Sequence, residues 1–104
     1  MKELPKSTKV VVIGGGVAGT SCAYHLAKFG WKDVILLERD QLTSGTTWHA
    51  AGLLGQLGAS STITKIRKYS LDLYKDLEKT TGLSTGMKQN GAITVASTKE
   101  RMQE

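Results

Sequence analysis

Three groups of residues in this 104-residue chain have types and spacings that do chemistry. The first is Gly14-Gly15-Gly16-Val17-Ala18-Gly19, which reads G-x-G-x-x-G with Gly14, Gly16 and Gly19 in the glycine positions. That spacing serves pyrophosphate binding. Gly14 turns the chain tightly out of a strand, Gly16 lets a phosphate approach the backbone, and Gly19 lets the following helix pack closely on the strands. The free N–H groups of the first helical turn, at Val17 and Ala18, then face the phosphates with the positive end of the helix dipole. The second group is Glu38, 19 residues after Gly19. An acid at the end of the second strand accepts hydrogen bonds from ribose hydroxyls, and it repels a 2′-phosphate despite the adjacent Arg39. The third is Leu42-Thr43-Ser44-Gly45-Thr46-Thr47-Trp48-His49-Ala50-Ala51-Gly52-Leu53-Leu54. Its small and hydroxyl residues would let the chain run along a flat ring system and its ribityl chain. The plain alternative is a glycine-rich structural turn with a surface acid nearby. The glycine pattern alone does not separate FAD from NAD.

These residues need particular elements to position them. Lys9-Val10-Val11-Val12-Ile13 is a β-branched run without polar alternation, as in a central strand buried on both faces. Apolar or small residues recur at helical spacing from Val17 to Phe29, and Gly30 is a natural stop. Val34-Ile35-Leu36-Leu37 supplies a second strand ending at Glu38. The result is one parallel βαβ unit, expected to be right-handed. Its strand–turn–helix–strand–acid order is the context that gives the glycine pattern meaning. Residues 39–60 lack periodicity, and loops of that length are usually functional. An amphipathic helix is expected over Thr62–Thr80, with Ile63, Ile66, Ser70, Leu73, Tyr74 and Leu77 on one face and Gly82 ending it. Met87 to Val95 reads as strand material broken by an Asn90-Gly91 hairpin turn. Ser97-Thr98-Lys99-Glu100 has the spacing of a capping box, so a helix is expected to begin there.

Composition excludes several classes of function. The formal charge is +5, but the lysines are scattered and form no basic block or aromatic-interleaved stripe. A solvated surface is expected, not nucleic-acid binding. Cys22 is the only cysteine, so there is no intrachain disulfide and no multi-cysteine metal site. No metal ligand set is expected. The longest apolar run, Val10 to Ile13, is too short to span a membrane. Nothing before it reads as a signal or transit segment. A cytoplasmic protein is expected if Met1 is the natural start, and a mitochondrial matrix protein if a presequence has been lost.

The Gly14–Gly19 turn, Tyr24-His25-Leu26-Ala27-Lys28, Leu36-Leu37-Glu38-Arg39 and above all Ser44-Gly45-Thr46-Thr47-Trp48-His49-Ala50-Ala51-Gly52-Leu53 resemble the start of the sarcosine and dimethylglycine dehydrogenases. The similarity continues through Leu77-Glu78-Lys79-Thr80-Thr81-Gly82 and Gln89-Asn90-Gly91-Ala92-Ile93. The resemblance implies an α/β protein whose Rossmann-like FAD-binding βαβ unit opens a two-domain, D-amino-acid-oxidase-like fold. Residues 1–60 would be the start of the FAD-binding domain, and residues 61–104 a long helix and the start of the substrate-domain sheet. It implies oxidation of a small N-methyl amine, with hydride passing to flavin N5 and the iminium yielding a demethylated amine and a one-carbon unit. An electron-transfer flavoprotein is a possible acceptor, and tetrahydrofolate would be bound by a later region. Cofactor contacts are then expected at Gly14, Gly16, Val17, Ala18, Gly19, Glu38, Arg39 and the run Gly45 to Leu53. The resemblance also implies that His49 is joined covalently to the flavin 8α carbon, which requires a neutral imidazole nitrogen as nucleophile.

No catalytic residue is expected within the chain, because acid–base and substrate-carboxylate groups belong downstream. His25, Cys22, Tyr69 and Tyr74 read as packing or surface residues, and Trp48 as either a flavin neighbour or a packing residue. With only two parallel strands and a helix just begun at residue 97, the chain is expected to be the N-terminal piece of a longer protein. Two other functions remain open. One is a non-catalytic regulator like the regulatory subunit of pyruvate dehydrogenase phosphatase, which resembles the same region but departs from the Trp-His element. The other is an NAD-dependent dehydrogenase.

Overall fold

The structure is a computed structural model and describes residues 3–103. It falls into two compact units, one up to Ala51 and one from Gly52 onward.

The first unit contains β1 (Val10–Ile13), α1 (Val17–Lys28) and β2 (Val34–Leu37). The strands pair in parallel, with Val10 opposite Val34 and Ile13 opposite Leu37. The ladder extends past both ends: Val10 N–H donates to the Asp33 carbonyl at 3.2 Å and Gly14 N–H to the Leu37 carbonyl at 2.8 Å. At the opening end, the Asp33 carboxylate accepts from the Thr8 hydroxyl at 2.8 Å and from the Lys9 N–H at 3.1 Å. One acid thus ties the approach to β1 to the start of β2. α1 ends as expected. Trp31 N–H reaches the Leu26 carbonyl and Gly30 N–H the Ala27 carbonyl, both at 3.0 Å, with Gly30 at φ +92°. This double closure is the Schellman arrangement that a left-handed glycine permits.

α1 packs on both strands. Val10 and Val12 are half-buried, whereas Val11 is 49% exposed and Ile13 86% exposed. The expectation of burial on both faces is therefore not met. Strand side chains alternate between faces, and a single helix covers only one of them. In the unperiodic stretch after β2, four residues form a 3-10 turn, Thr46–His49, closed by Trp48 N–H to the Gly45 carbonyl at 3.1 Å.

The second unit is built on α2, Ser61–Thr81, one residue longer at each end than expected. Its ends explain its length. The Ser60 hydroxyl accepts from Ile63 N–H at 3.3 Å, and Gly82 closes the helix at φ +68° with its N–H on the Glu78 carbonyl. Of the expected apolar face, Ser70, Leu73, Tyr74 and Leu77 are half-buried, while Ile63 and Ile66 are exposed. The Glu78 carboxylate accepts from the Thr85 N–H and hydroxyl at 2.9 and 2.6 Å, which folds the segment after Gly82 back on the helix.

Two expectations fail here. No strand forms between Met87 and Val95, although Gly91 takes the positive φ (+80°) that a turn requires; Ile93 and Val95 are 94% and 85% exposed. Turn chemistry allows a hairpin, but two strands without a third or a covering layer are marginal. No helix forms at Ser97 either. Residues 97–102 make a turn in which the Thr98 hydroxyl, not that of Ser97, accepts from Arg101 N–H at 3.3 Å. The capping interaction is present, but a nucleus of one turn is too short to propagate on its own.

Candidate functional site

The candidate site is the junction of the β1–α1 turn with the stretch that follows β2. Gly14 leaves β1 at φ +106°, a conformation that other residues rarely adopt. Gly19 shows the tightest approach: a Cβ there would lie 1.8 Å from the Gly14 carbonyl oxygen. The two outer glycines of the pattern therefore depend on one another, because α1 can start this close to β1 only when Gly19 has no side chain. At Gly16 a Cβ would stand 3.0 Å from the Thr47 hydroxyl. No side chain from within the turn caps α1 at Gly16. Val17 N–H, the first amide of the helix, instead donates to the Thr47 hydroxyl at 2.9 Å.

Glu38 lies half-buried just past β2. One carboxylate oxygen accepts from Gly15 N–H at 2.6 Å and the other from Asp40 N–H at 3.1 Å. The Gly15 bond first, then the Asp40 bond, with further help from neighbouring Arg39, hold the carboxyl below its ordinary range against a smaller opposing effect of partial burial. The group is thus a carboxylate at neutral pH. Two oxygens offer about four acceptor positions, so two backbone bonds leave capacity for ribose hydroxyls.

Sequence reasoning missed Gly15, which occupies an unrestricted position of G-x-G-x-x-G. It is the one buried residue among those described. A Cβ there would fall 2.6 Å from a Leu42 methyl and 3.0 Å from the Glu38 carboxylate. Its carbonyl accepts from Thr43 N–H at 2.9 Å, so this one residue is gripped from both sides. Thr43 pays for the grip with φ +67°, the only non-glycine positive φ among the described residues. The sequence carried one signal for this, three glycines in a row where the pattern asks for two.

A surface groove brings together Gly14, Gly16, Glu38, Arg39, Gly45, Thr46 and Thr47, with Ile13, Leu37, Asp40 and Ser44 completing its walls. Val17, Ala18 and Gly19 follow in the first turn of α1 without lining the groove. Trp48 and His49 occupy the 3-10 turn beyond it, with Trp48 77% exposed. The His49 Nδ1 lies 2.9 Å from the Gly45 carbonyl oxygen. A carbonyl only accepts, so Nδ1 carries a proton in this contact. Ala50 is extended, and both Ala50 and Ala51 are exposed. Gly52 (φ +72°) and Leu53 (90% exposed) open the second unit. Among the described residues no cluster of three His, Cys, Asp or Glu could hold a metal ion, and no helix is long and apolar enough to cross a membrane.

A parallel strand–glycine turn–helix–strand unit with a carboxylate after its second strand defines a dinucleotide-binding class. The particular family is shown by comparison with known proteins. The family described as FAD dependent oxidoreductase (DAO) matches residues 9–104, and the chain belongs to it. The chain is 47% identical over 104 residues to human mitochondrial sarcosine dehydrogenase, covering 99% of this chain and 11% of that protein. It is 49% identical over 102 residues to rat mitochondrial dimethylglycine dehydrogenase, covering 98% of this chain and 12% of the relative. It is also 46% identical over 99 residues to the mouse mitochondrial pyruvate dehydrogenase phosphatase regulatory subunit, covering 95% of this chain and 11% of that protein. The chain thus spans about a ninth of the length of these relatives.

The cofactor this family implies is FAD. The residues present fit its ADP half. Gly16 supplies no side-chain cap to α1, whose Val17 N–H is held by the Thr47 hydroxyl; the Gly16 cradle is one that a Cβ would narrow, and the ionised Glu38 retains acceptor positions.

Proposed function

We propose that these residues open the FAD-binding domain of an enzyme that oxidises the CH–NH group of small N-methyl amino acids such as sarcosine or dimethylglycine. In this reading residues 1–60 begin that domain and residues 61–104 lead into the substrate domain. The observation that carries the proposal is the tie between the phosphate turn and the stretch from Glu38 to Thr47, made at Gly15 and Val17. In this reading the tie supports a path from pyrophosphate donors past a ribose acceptor to the Trp48-His49 turn. Two relatives that match nearly the whole chain are named as dehydrogenases of those two amines.

Bound FAD supplies the two-electron acceptor. The chain's own contribution is binding and orientation. Gly14, Gly16, Val17, Ala18 and Gly19 present backbone to the pyrophosphate, Glu38 accepts from the ribose, Arg39 flanks it, and Gly45 to Leu53 run toward the flavin. His49 is the residue for covalent attachment. In the neutral ring this attachment requires, the Gly45 carbonyl favours the tautomer with its proton on Nδ1 and leaves Nε2 as the nucleophile. Electron transfer to a partner flavoprotein and capture of the one-carbon unit by tetrahydrofolate would involve parts of the protein beyond these residues. Of the two compartments considered, the mitochondrial one accords with the names of the relatives.

A second reading is favoured by the regulatory subunit among the relatives. It would keep the fold without amine oxidation. One experiment separates them. The whole protein is purified, precipitated in acid, and its pellet inspected for flavin, with the flavinylated peptide mapped by mass spectrometry and amine-dependent dye reduction measured on sarcosine and dimethylglycine. The proposal expects a yellow pellet, a flavin on His49 and turnover of an N-methyl amine. Flavin released entirely to the supernatant would remove the covalent link. Absence of turnover on any N-methyl amine would leave the regulatory reading.

A further inference from the structure

Thr47 connects two parts of the site that a glycine motif and a histidine motif treat as separate. Its hydroxyl oxygen accepts from Val17 N–H at 2.9 Å and stands 3.0 Å from where a Gly16 Cβ would be. The hydroxyl thus lies directly against the backbone of the phosphate turn, 30 residues away in sequence. Thr47 also belongs to the 3-10 turn that carries His49. That turn is short and stiffened at each step: Trp48 N–H bonds to the Gly45 carbonyl, Ala50 N–H to the Thr47 carbonyl, and the His49 ring to the Gly45 carbonyl. The start of α1 is therefore hydrogen-bonded to the same short turn that carries the imidazole.

We propose that Thr47 is a positioning residue that passes the occupancy of the phosphate turn to His49, which rests on the reading of this turn as the FAD site. A threonine hydroxyl accepts and donates at once. While its oxygen accepts from Val17 N–H, its proton is able to donate to an anion at the end of α1, where the helix field favours negative charge. Binding of the pyrophosphate then draws together three groups: the α1 terminus, the anion and the turn. The His49 turn is ordered before any contact with the flavin ring. The nearby Ser44 hydroxyl is placed differently. Ser44 donates to the Gln41 carbonyl at 2.8 Å, within its own loop.

The test uses ADP, which carries the pyrophosphate and no flavin. The whole protein is prepared free of flavin from riboflavin-depleted cells, and amide hydrogen exchange is followed with and without ADP. ADP is expected to slow exchange both in residues 14–19 and, by about tenfold, in residues 46–50, a typical size for coupled sites. Thr47→Val should keep the protection at 14–19 and lose it at 46–50, and Thr47→Ser should restore it. If Thr47→Val does not fold by circular dichroism, Thr47→Ala is expected to show the same split. Protection at 14–19 alone in the unaltered protein overturns the proposal while leaving the FAD site standing. Protection at both segments that survives removal of the hydroxyl overturns it as well. Protection at neither segment removes the FAD site and the proposal together.

Discussion

In the unit that ends at Ala51, hydrogen bonds join residues far apart in sequence: Gly15 to Glu38 across 23 positions and Val17 to Thr47 across 30. In the unit from Gly52 onward the ties around α2 are shorter. Arg67 reaches the Leu57 carbonyl across 10 positions, Thr85 reaches Glu78 across 7, and Gly58 reaches Thr64 across 6. The first unit is a junction, where a parallel sheet brings two loops together and each loop completes the other. The second is a helix with its own caps and a short return. A change at the junction should therefore spread to the cofactor site, and a change around α2 should remain local.

The largest expected effect is at Gly19. Gly19→Ala places a methyl 1.8 Å from the Gly14 carbonyl, and α1 must move off β1. A loss on the order of 3 kcal/mol is expected, with loss of bound FAD. Urea unfolding and flavin content of the whole protein measure both. Gly55→Ala in the second unit is the control. Its Cβ would meet only an Arg67 nitrogen at 4.0 Å, and the change should stay within about 0.5 kcal/mol. Equal losses at the two glycines would break the comparison.

Gly15→Ala is expected to cost about 1–3 kcal/mol by the same overpacking. The obstruction is the Leu42 methyl at 2.6 Å and the Glu38 carboxylate at 3.0 Å. Since the nearer obstacle is one side chain, Leu42→Ala in the same protein should recover part of the loss. Additive losses in the double variant, read from unfolding midpoints, would show that Leu42 is not the obstacle.

Ser60→Ala removes the side-chain cap of α2 and should cost about 1 kcal/mol. FAD affinity should be unchanged, because the cap acts only on the helix that it starts. A fall in affinity measured by flavin titration would show that α2 and the cofactor site are coupled.

The smallest effects should appear in acid. Glu38 and Glu78 are both held below the ordinary carboxyl range, Glu38 chiefly by Gly15 N–H and Glu78 chiefly by the Thr85 hydroxyl. A lowered folded pKa means that the stabilisation is present above the unfolded value, about 4.3 for Glu, and is lost as pH falls through the folded value. Glu38→Gln should therefore flatten the fall in stability below about pH 4.3, and also weaken FAD at neutral pH. Glu78→Gln should flatten the acid limb without touching FAD. Unfolding midpoints between pH 6 and pH 3, with flavin titration at pH 7, distinguish the two carboxylates.

Much of this molecule was legible without coordinates wherever local chemistry decides. The β-branched run 10–13, the glycine at position 30 and the glycine after α2 mark element ends through backbone preferences that act within a few residues. The family was legible as well, through the Ser44 to Leu53 stretch. Signals that need a distant partner were not. Asn90-Gly91 permits a hairpin but does not supply a sheet for it, so residues 87–95 form no strand ladder. The run of valines in β1 looks buried on both faces, yet only the layer above a strand determines burial, and here one face is open.

The amino-acid sequence by itself determined which turns are possible, the extent of α1 and α2 to within a residue at each end, and that an acid follows the second strand. Only the tertiary structure decided what these groups do to each other. A parallel ladder in register from Val10 to Leu37 places the turn after β1 beside the stretch after β2. That placement crowds Gly15, at a position the motif leaves free, against the Leu42 and Glu38 side chains. It also gives Glu38 a backbone partner 23 residues away and sets the Thr47 hydroxyl on the first amide of α1. Helical and turn preferences are properties of a few neighbouring residues, whereas steric exclusion and hydrogen bonding across a sheet edge exist only once the strands have paired.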